Sequence, residues 1–225
     1  MRFDSVQLGT PDLQRAAARY TELLGIPAVE RRVDRVRFQL EHGAVELEPG
    51  EAGVRSIRVA LAGDAPPAGG DVGHGLTVRF DAPEHPAKPP RAPADAVTAI
   101  DHVVIHSPNL DRALRLWRDR LGVRLALDRE FPGRGLRMLF FRSGGVTLEF
   151  VSPLAGADDP TAPDRFFGIA YRVRDLAACV HRLTDVGFDV SEVRPGHKRG
   201  TSVATVRSDL DGTPTLLIDD PSRVP

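Results

Sequence analysis

Residues 3–26, FDSVQLGTPDLQRAAARYTELLGI, lie over residues 100–123, IDHVVIHSPNLDRALRLWRDRLGV, without a gap. Asp4 meets Asp101, Val6 meets Val103, Pro11 meets Pro108 and Leu13 meets Leu110; Arg15 meets Arg112, Leu24 meets Leu121 and Gly25 meets Gly122. Tyr20 meets Trp117, which keeps an aromatic ring. A fainter third copy, FFGIAYRVRDLAACVHRLTDVGFDV, runs over 166–190. Such a repeat constrains the fold more than composition does, because each unit is one supersecondary element whose apolar face a neighbour must complete.

Each copy carries the same local physics. An alternating strand runs into Thr10-Pro11 or Ser107-Pro108, where the hydroxyl is expected to cap a helix and proline to take its first position. In the middle copy Leu110, Ala113, Leu114, Trp117 and Leu121 recur at helical spacing, and Gly122 ends the helix at a site that favours a left-handed residue. Short strands follow: VRLALDREF, LRMLFFRS and VTLEFVSP in the middle copy; FDVSEVRP, TSVATVRS and TPTLLIDD in the last; RVRFQLEHGAVELEPG in the first. The unit is β-α-β-β-β, about 55 residues long, and the fold class is α+β. Between the first two full copies, GVRSIRVALAG and HGLTVRFDA read as strands of a fourth, degenerate unit, with GLTVRF matched to GIAYRV at 168–173. The expected organisation is an N-terminal half at 1–81, a Pro/Ala-rich linker at 82–97 and a two-module C-terminal half at 98–221.

Composition narrows the partners. Formal net charge is -1, so no basic excess exists to neutralise nucleic acid phosphates or an anionic membrane. No signal-like or membrane-length apolar run is seen, and the expected location is the cytoplasm. Lys88 and Lys198 are the only lysines among 30 basic residues, which leaves Lys198 as the one amine suited to Schiff-base chemistry. Cys179, the sole cysteine, sits in the apolar helical stretch LAACVHRL and reads as a small buried hydrophobe.

The segments IDHVVIHSPNLDRALRLWRDRLG, GVTLEFVSP, GIAYRVRDL and DLDGTPTLLI resemble the vicinal oxygen chelate superfamily, which includes glyoxalase I, methylmalonyl-CoA epimerase, extradiol dioxygenases and bleomycin-resistance proteins. The resemblance implies paired β-α-β-β-β modules, with mixed curled sheets forming a cleft. It also implies metal ligands from the first and fourth strands of each paired module. In the middle module those positions are His102 and Glu149; in the last they fall on Gly168 and Leu216, and in the first on Ser5 and Glu48. Two donors fall short of the three or four protein ligands that hold a divalent ion well.

Strand alternation puts His106 on the face of His102 but about 13 Å along it, too far to share one ion, so His106 reads as a pocket wall. His197 and Arg199 in the GHKRG hairpin, with Arg172, are candidates for holding an anionic group. Glu48 would complete the metal set if the first module packs on the middle one, and His74 is an outer candidate. Two functions stand side by side. One is a metal-assisted lyase, isomerase or dioxygenase acting on a small, oxygen-rich anionic metabolite, with His102 and Glu149 as catalytic and metal residues and Fe, Mn, Ni or Zn as the ion. The other is a metal-free small-molecule binding or sequestering protein of the bleomycin-resistance type. Exposed strand edges make a homodimer an expected assembly.

Overall fold

Alternation along the strands decides which side of each sheet meets the helices. In the 97–106 strand Val103 and Ile105 are fully buried, while His102 and Val104 are half-buried and His106 is exposed. The computed structural model describes residues 2–60, 70–71, 74–81, 89–157 and 159–223. Its first sheet takes β1 (Arg2–Thr10), β2 (Glu30–Arg31), β3 (Val36–Leu40), β4 (Gly43–Pro49), β5 (Gly53–Ala60), β6 (Gly70–Asp71) and β7 (Thr77–Asp81). The second takes β8 (Val97–His106), β9 (Arg124–Phe131), β10 (Leu136–Ser143), β11 (Val146–Pro153), β12 (Arg165–Val173), β13 (Arg194–Pro195), β14 (Ser202–Val206) and β15 (Thr215–Asp219).

The strand orders are β2-β3-β4-β1-β5-β7-β6 and β13-β14-β15-β12-β8-β11-β10-β9. Read from opposite ends they match. In each unit the first strand pairs in parallel with the fourth: β1 with β4, β5 with β7, β8 with β11 and β12 with β15. The two units of a sheet join by antiparallel pairing of their first strands, β1 with β5 and β8 with β12. The middle module thus pairs with the last, which removes Glu48 as a partner for His102 and Glu149 across a module junction. Both sheets are mixed and open, ending at β2 and β6 and at β13 and β9, rather than curled into the cleft that the resemblance implies.

β7 also corrects the sequence match. GLTVRF was aligned with the first strand of the last module, yet β7 lies parallel to β5 and is the counterpart of β15, a fourth strand. The fourth unit's first strand is β5. The segment between β5 and β7 lies mostly outside the described residues, as do 82–88 of the expected linker.

The helices are α1 (Leu13–Leu24), α2 (Leu110–Leu114) and α3 (Leu176–Asp185). Their caps are Asp12, Asn109 and Asp175, whose side chains accept backbone N–H groups of the first turn. The expected caps, Thr10 and Ser107, sit two residues earlier and instead accept the N–H of Asp12 and Asn109. Pro11 and Pro108 therefore precede the helices. Gly25 and Gly122 have φ of 68° and 66°, the left-handed ends read from the sequence. The middle helix was not expected to change pitch, but α2 runs into a π-helix over Arg115–Arg120, where the Leu121 N–H reaches back five residues to Leu116. This wider turn seats fully buried Trp117 against Phe150 at 5.5 Å and Phe141 at 6.4 Å.

One apolar core runs through both halves, from Val6, Leu8 and Tyr20 to Val103, Trp117, Cys179 and Leu183. Polar contacts tie the halves together. Arg182 of α3 donates to the carbonyls of Leu23 and Asp95, Arg19 lies 3.7 Å over the Phe188 ring, and Arg15 pairs with Asp211 at 2.6 Å. Burial pushes the Cys179 thiol up to about 11, as suits a packing residue rather than a nucleophile. Among the described residues no helix is long and apolar enough to cross a membrane.

Candidate active site

Pairing across β10, β11, β8 and β12 brings Phe140, Glu149, Val104 and Gly168 into one row on the side of the second sheet away from its helices. The neighbouring row is Arg142, Thr147, His102, Ala170 and Leu216. His102 and Glu149 occupy adjacent rows on adjacent strands, and His102 Nε2 lies 4.0 Å from a Glu149 carboxylate oxygen. Their side chains are 17% and 16% exposed, open enough to meet a ligand and dry enough to feel one another. The sequence-derived pair is brought together.

A bulge sits beside it. His102 pairs with Ala170 and Ile100 with Tyr171, so Asp101 is an extra residue that falls outside the backbone register with β12. A bulge re-aims side chains. Here it brings the Asp101 carboxylate to 3.0 Å from His102 Nδ1, while its other oxygen accepts Arg172 Nη2 at 2.9 Å. The result is a chain, Arg172–Asp101–His102–Glu149. Burial pushes the Glu149 carboxyl up, and Asp101 adds to this, against the opposing charges of His102, Arg134 and His197.

The other candidates are more scattered. Arg172 is buried and engaged with Asp101, so it is not presented as a clamp for a ligand anion, because its guanidinium lies inside the sheet. His197 and Arg199 stand exposed on the hairpin, and His197 is close enough to influence Glu149. Lys198 is tied to Asp220 and Ser222, each at 2.6 Å. His106 stacks on Phe167 with ring centroids 4.4 Å apart, and burial lowers its pKa. It lines a mostly apolar cavity of about 320 Å³ with Leu136, Val151 and Arg165. A separate cavity of about 430 Å³ lies under the 89–98 strap between Leu40 and Arg174. His74 is exposed in a turn with φ of 73°, its carbonyl bonded to the Asp164 N–H.

Among the described residues no group of three or more His, Cys, Asp or Glu side chains is gathered to hold a divalent ion. His102 and Glu149 offer two donors; Leu216 offers none, and a side chain on Gly168 would collide with the Pro214 carbonyl. The residues present do not fit a metal held by three or four protein ligands.

Register also corrects the first module. Gln7, the counterpart of Val104, pairs with Glu46, so Glu46 and not Glu48 matches Glu149. Glu46 is fully buried, accepts Gln7 Nε2 at 2.9 Å, pairs with Arg58 at 3.2 Å and contacts Arg37. Burial alone would raise its carboxyl, but Gln7, Arg58 and Arg37 outweigh it and hold the group below its ordinary value. Asp101, Glu46 and Arg134 were missed by sequence reasoning. The signal for Asp101 was present, since strict alternation would put its charge on the core side of β8. For Glu46, GAVELEP offers two glutamates on one face, and only pairing separates them.

Residues 101–205 match the model of the Glyoxalase/Bleomycin resistance protein/Dioxygenase superfamily. An ethylmalonyl-CoA/methylmalonyl-CoA epimerase of Cereibacter sphaeroides is 27% identical over 97 residues, covering 40% of this chain and 72% of that protein. A "probable lactoylglutathione lyase" of Synechocystis is 27% identical over 125 residues, covering 54% of this chain and 95% of that protein. A solved methylmalonyl-CoA epimerase of Mycobacterium tuberculosis aligns with TM-score 0.46 at 23% identity, over 56% of this chain and 91% of its own.

Proposed function

We propose, from the premise that this chain belongs through residues 101–205 to the glyoxalase/bleomycin resistance protein/dioxygenase superfamily, that it is an isomerase- or lyase-type enzyme moving a proton on a small, oxygen-rich anionic metabolite. The observation that carries the reading is the 4.0 Å approach of His102 Nε2 to Glu149 on a partly exposed sheet face. One group takes a proton from a carbon beside a carbonyl, and the other returns it. A carboxyl raised by burial holds its proton more firmly than a free one, which suits a group that takes and returns protons. Arg199 and His197 on the hairpin, with Arg134, supply positive charge for the metabolite's anionic group. The donor set falls short of a metal site, and both proton transfers run between the substrate carbon and these two side chains.

The activities named for the two sequence relatives supply the first substrates. Wild-type protein is expected to exchange solvent deuterium into methylmalonyl-CoA or lactoylglutathione, and Glu149→Gln to slow this by ~10²–10⁴-fold. Tight binding of either compound with no exchange in wild type would favour the sequestering reading. That reading draws support from the unreactive Gly168 and Leu216 across the sheet. A stabilising thermal shift of wild type, lost in His102→Ala, with Mn, Fe, Ni or Zn would overturn the metal-free step.

A further inference from the structure

We propose that Asp101, clamped by Arg172, is a positioning residue that fixes His102 in the Nδ1–H tautomer and turns its Nε2 lone pair toward the space beside Glu149. The inference rests on the proton-transfer reading above for its consequence, and on geometry alone for its content.

Arg172 can only donate, and a carboxylate in an ion pair can only accept. With one Asp101 oxygen on Arg172 Nη2 at 2.9 Å and the other 3.0 Å from His102 Nδ1, the proton between Asp101 and His102 belongs to the imidazole. Nε2 is then the acceptor, and it is this atom that faces Glu149 at 4.0 Å. The bulge makes the arrangement available, because without the extra residue Asp101 would point to the helix side. The same bulge exists in the first sheet at Asp4, where Phe3 pairs with Val59 and Ser5 with Arg58. There the aspartate lies 3.5 Å from Arg37 and its neighbour is a serine. The bulge and an arginine at its aspartate therefore occur in both sheets, while the histidine beside the aspartate belongs to the second.

Asp101→Asn makes the test sharp. Arg172 still demands an oxygen, so the amide oxygen stays on it and the amide N–H₂ faces His102 Nδ1. Nδ1 must then accept, and the imidazole switches to the Nε2–H tautomer. Long-range ¹H–¹⁵N correlation of labelled protein at mildly alkaline pH, with His102 assigned by its loss in His102→Gln, reads the tautomer directly. Wild type should show Nδ1–H, and folded Asp101→Asn should show Nε2–H. An Nε2–H wild type overturns the proposal even if the variant does not fold; so does a folded variant that keeps Nδ1–H. In the deuterium-exchange assay Asp101→Asn should lower kcat by ~10²–10⁴-fold with KM little changed. Since the tautomer is read without substrate, an absence of exchange in wild type would sink the proton-transfer reading and leave the tautomer result standing.

Discussion

In the first sheet the fourth-strand glutamate, Glu46, is enclosed by Gln7, Arg58 and Arg37 and has no exposed surface. In the second, Glu149 at the same register pairs with Val104 in place of Gln7 and Phe140 in place of Arg37, and Ala170 stands at the position of Arg58. Three substitutions around one carboxylate separate a neutralised ion cluster from a desolvated carboxyl. The backbone is held constant by the repeat, so the contrast isolates side-chain chemistry. Arginines on adjacent strands lower the carboxyl and seal it; apolar neighbours leave it desolvated and raised.

The largest effect should come from breaking the sealed cluster. Glu46→Ala takes from the buried Arg37 and Arg58 the carboxylate they share and should cost ~3–5 kcal/mol in urea unfolding. Glu149→Ala, which leaves no buried arginine behind, should cost much less. Equal losses would show that the two environments do not differ energetically.

Stability against pH should separate them by sign. Glu46 has a lowered folded pKa, so its contribution is present above the ordinary carboxylate range and is lost as pH falls through the folded value. Glu149 has a raised folded pKa, so it weakens the fold once pH rises past the ordinary carboxylate value towards the folded one. Glu46→Gln should therefore destabilise at neutral pH, with a deficit that shrinks on acidification. Glu149→Gln should stabilise at neutral pH, with a gain that vanishes on acidification. Thermal unfolding across the acidic range would read both slopes, and slopes of the same sign would contradict the assignment.

A transplant sharpens the comparison further. Phe140→Arg puts a cation at the place Arg37 holds in the first sheet, across from Glu149. It should pull the Glu149 carboxyl down, as followed by carbon NMR titration, and should suppress deuterium exchange. An unchanged titration would mean that neighbouring strands do not set the group's protonation. The smallest effect is expected at the hairpin. Arg199→Ala should alter stability by no more than ~0.5 kcal/mol while weakening binding of an anionic ligand, measured by calorimetry. Unchanged binding would remove Arg199 from the site.

Much of this was legible in the residues. The gap-free match of 3–26 to 100–123 dictated the shared unit, and the three strands of 123–153 fell where alternation put them. His102 and Glu149 could be paired because each sits at the centre of a strongly patterned strand. What escaped was set by non-local pairing. Thr10 and Asp12 are equally plausible caps by chemistry, and the backbone's turn selects Asp12. The parallel partner of β5 decides that GLTVRF is a fourth strand, and no local period carries that information. The bulge at Asp101 breaks the alternation on which the sequence argument relied. A charged residue on a core-facing position of both copies was the sign that alternation fails there.

The tight approach of Gly168 to the Pro214 carbonyl bears on how the protein's lineage could change. By the family resemblance, position 168 is where the last module would contribute a metal-binding side chain, but a side chain there meets the Pro214 carbonyl until the loop before β15 moves. A point mutation to histidine there would meet a closed door, since backbone must shift before the new ligand could help. Descent from this form toward a fuller ligand set would need at least two coordinated changes, the first giving no catalytic advantage by itself.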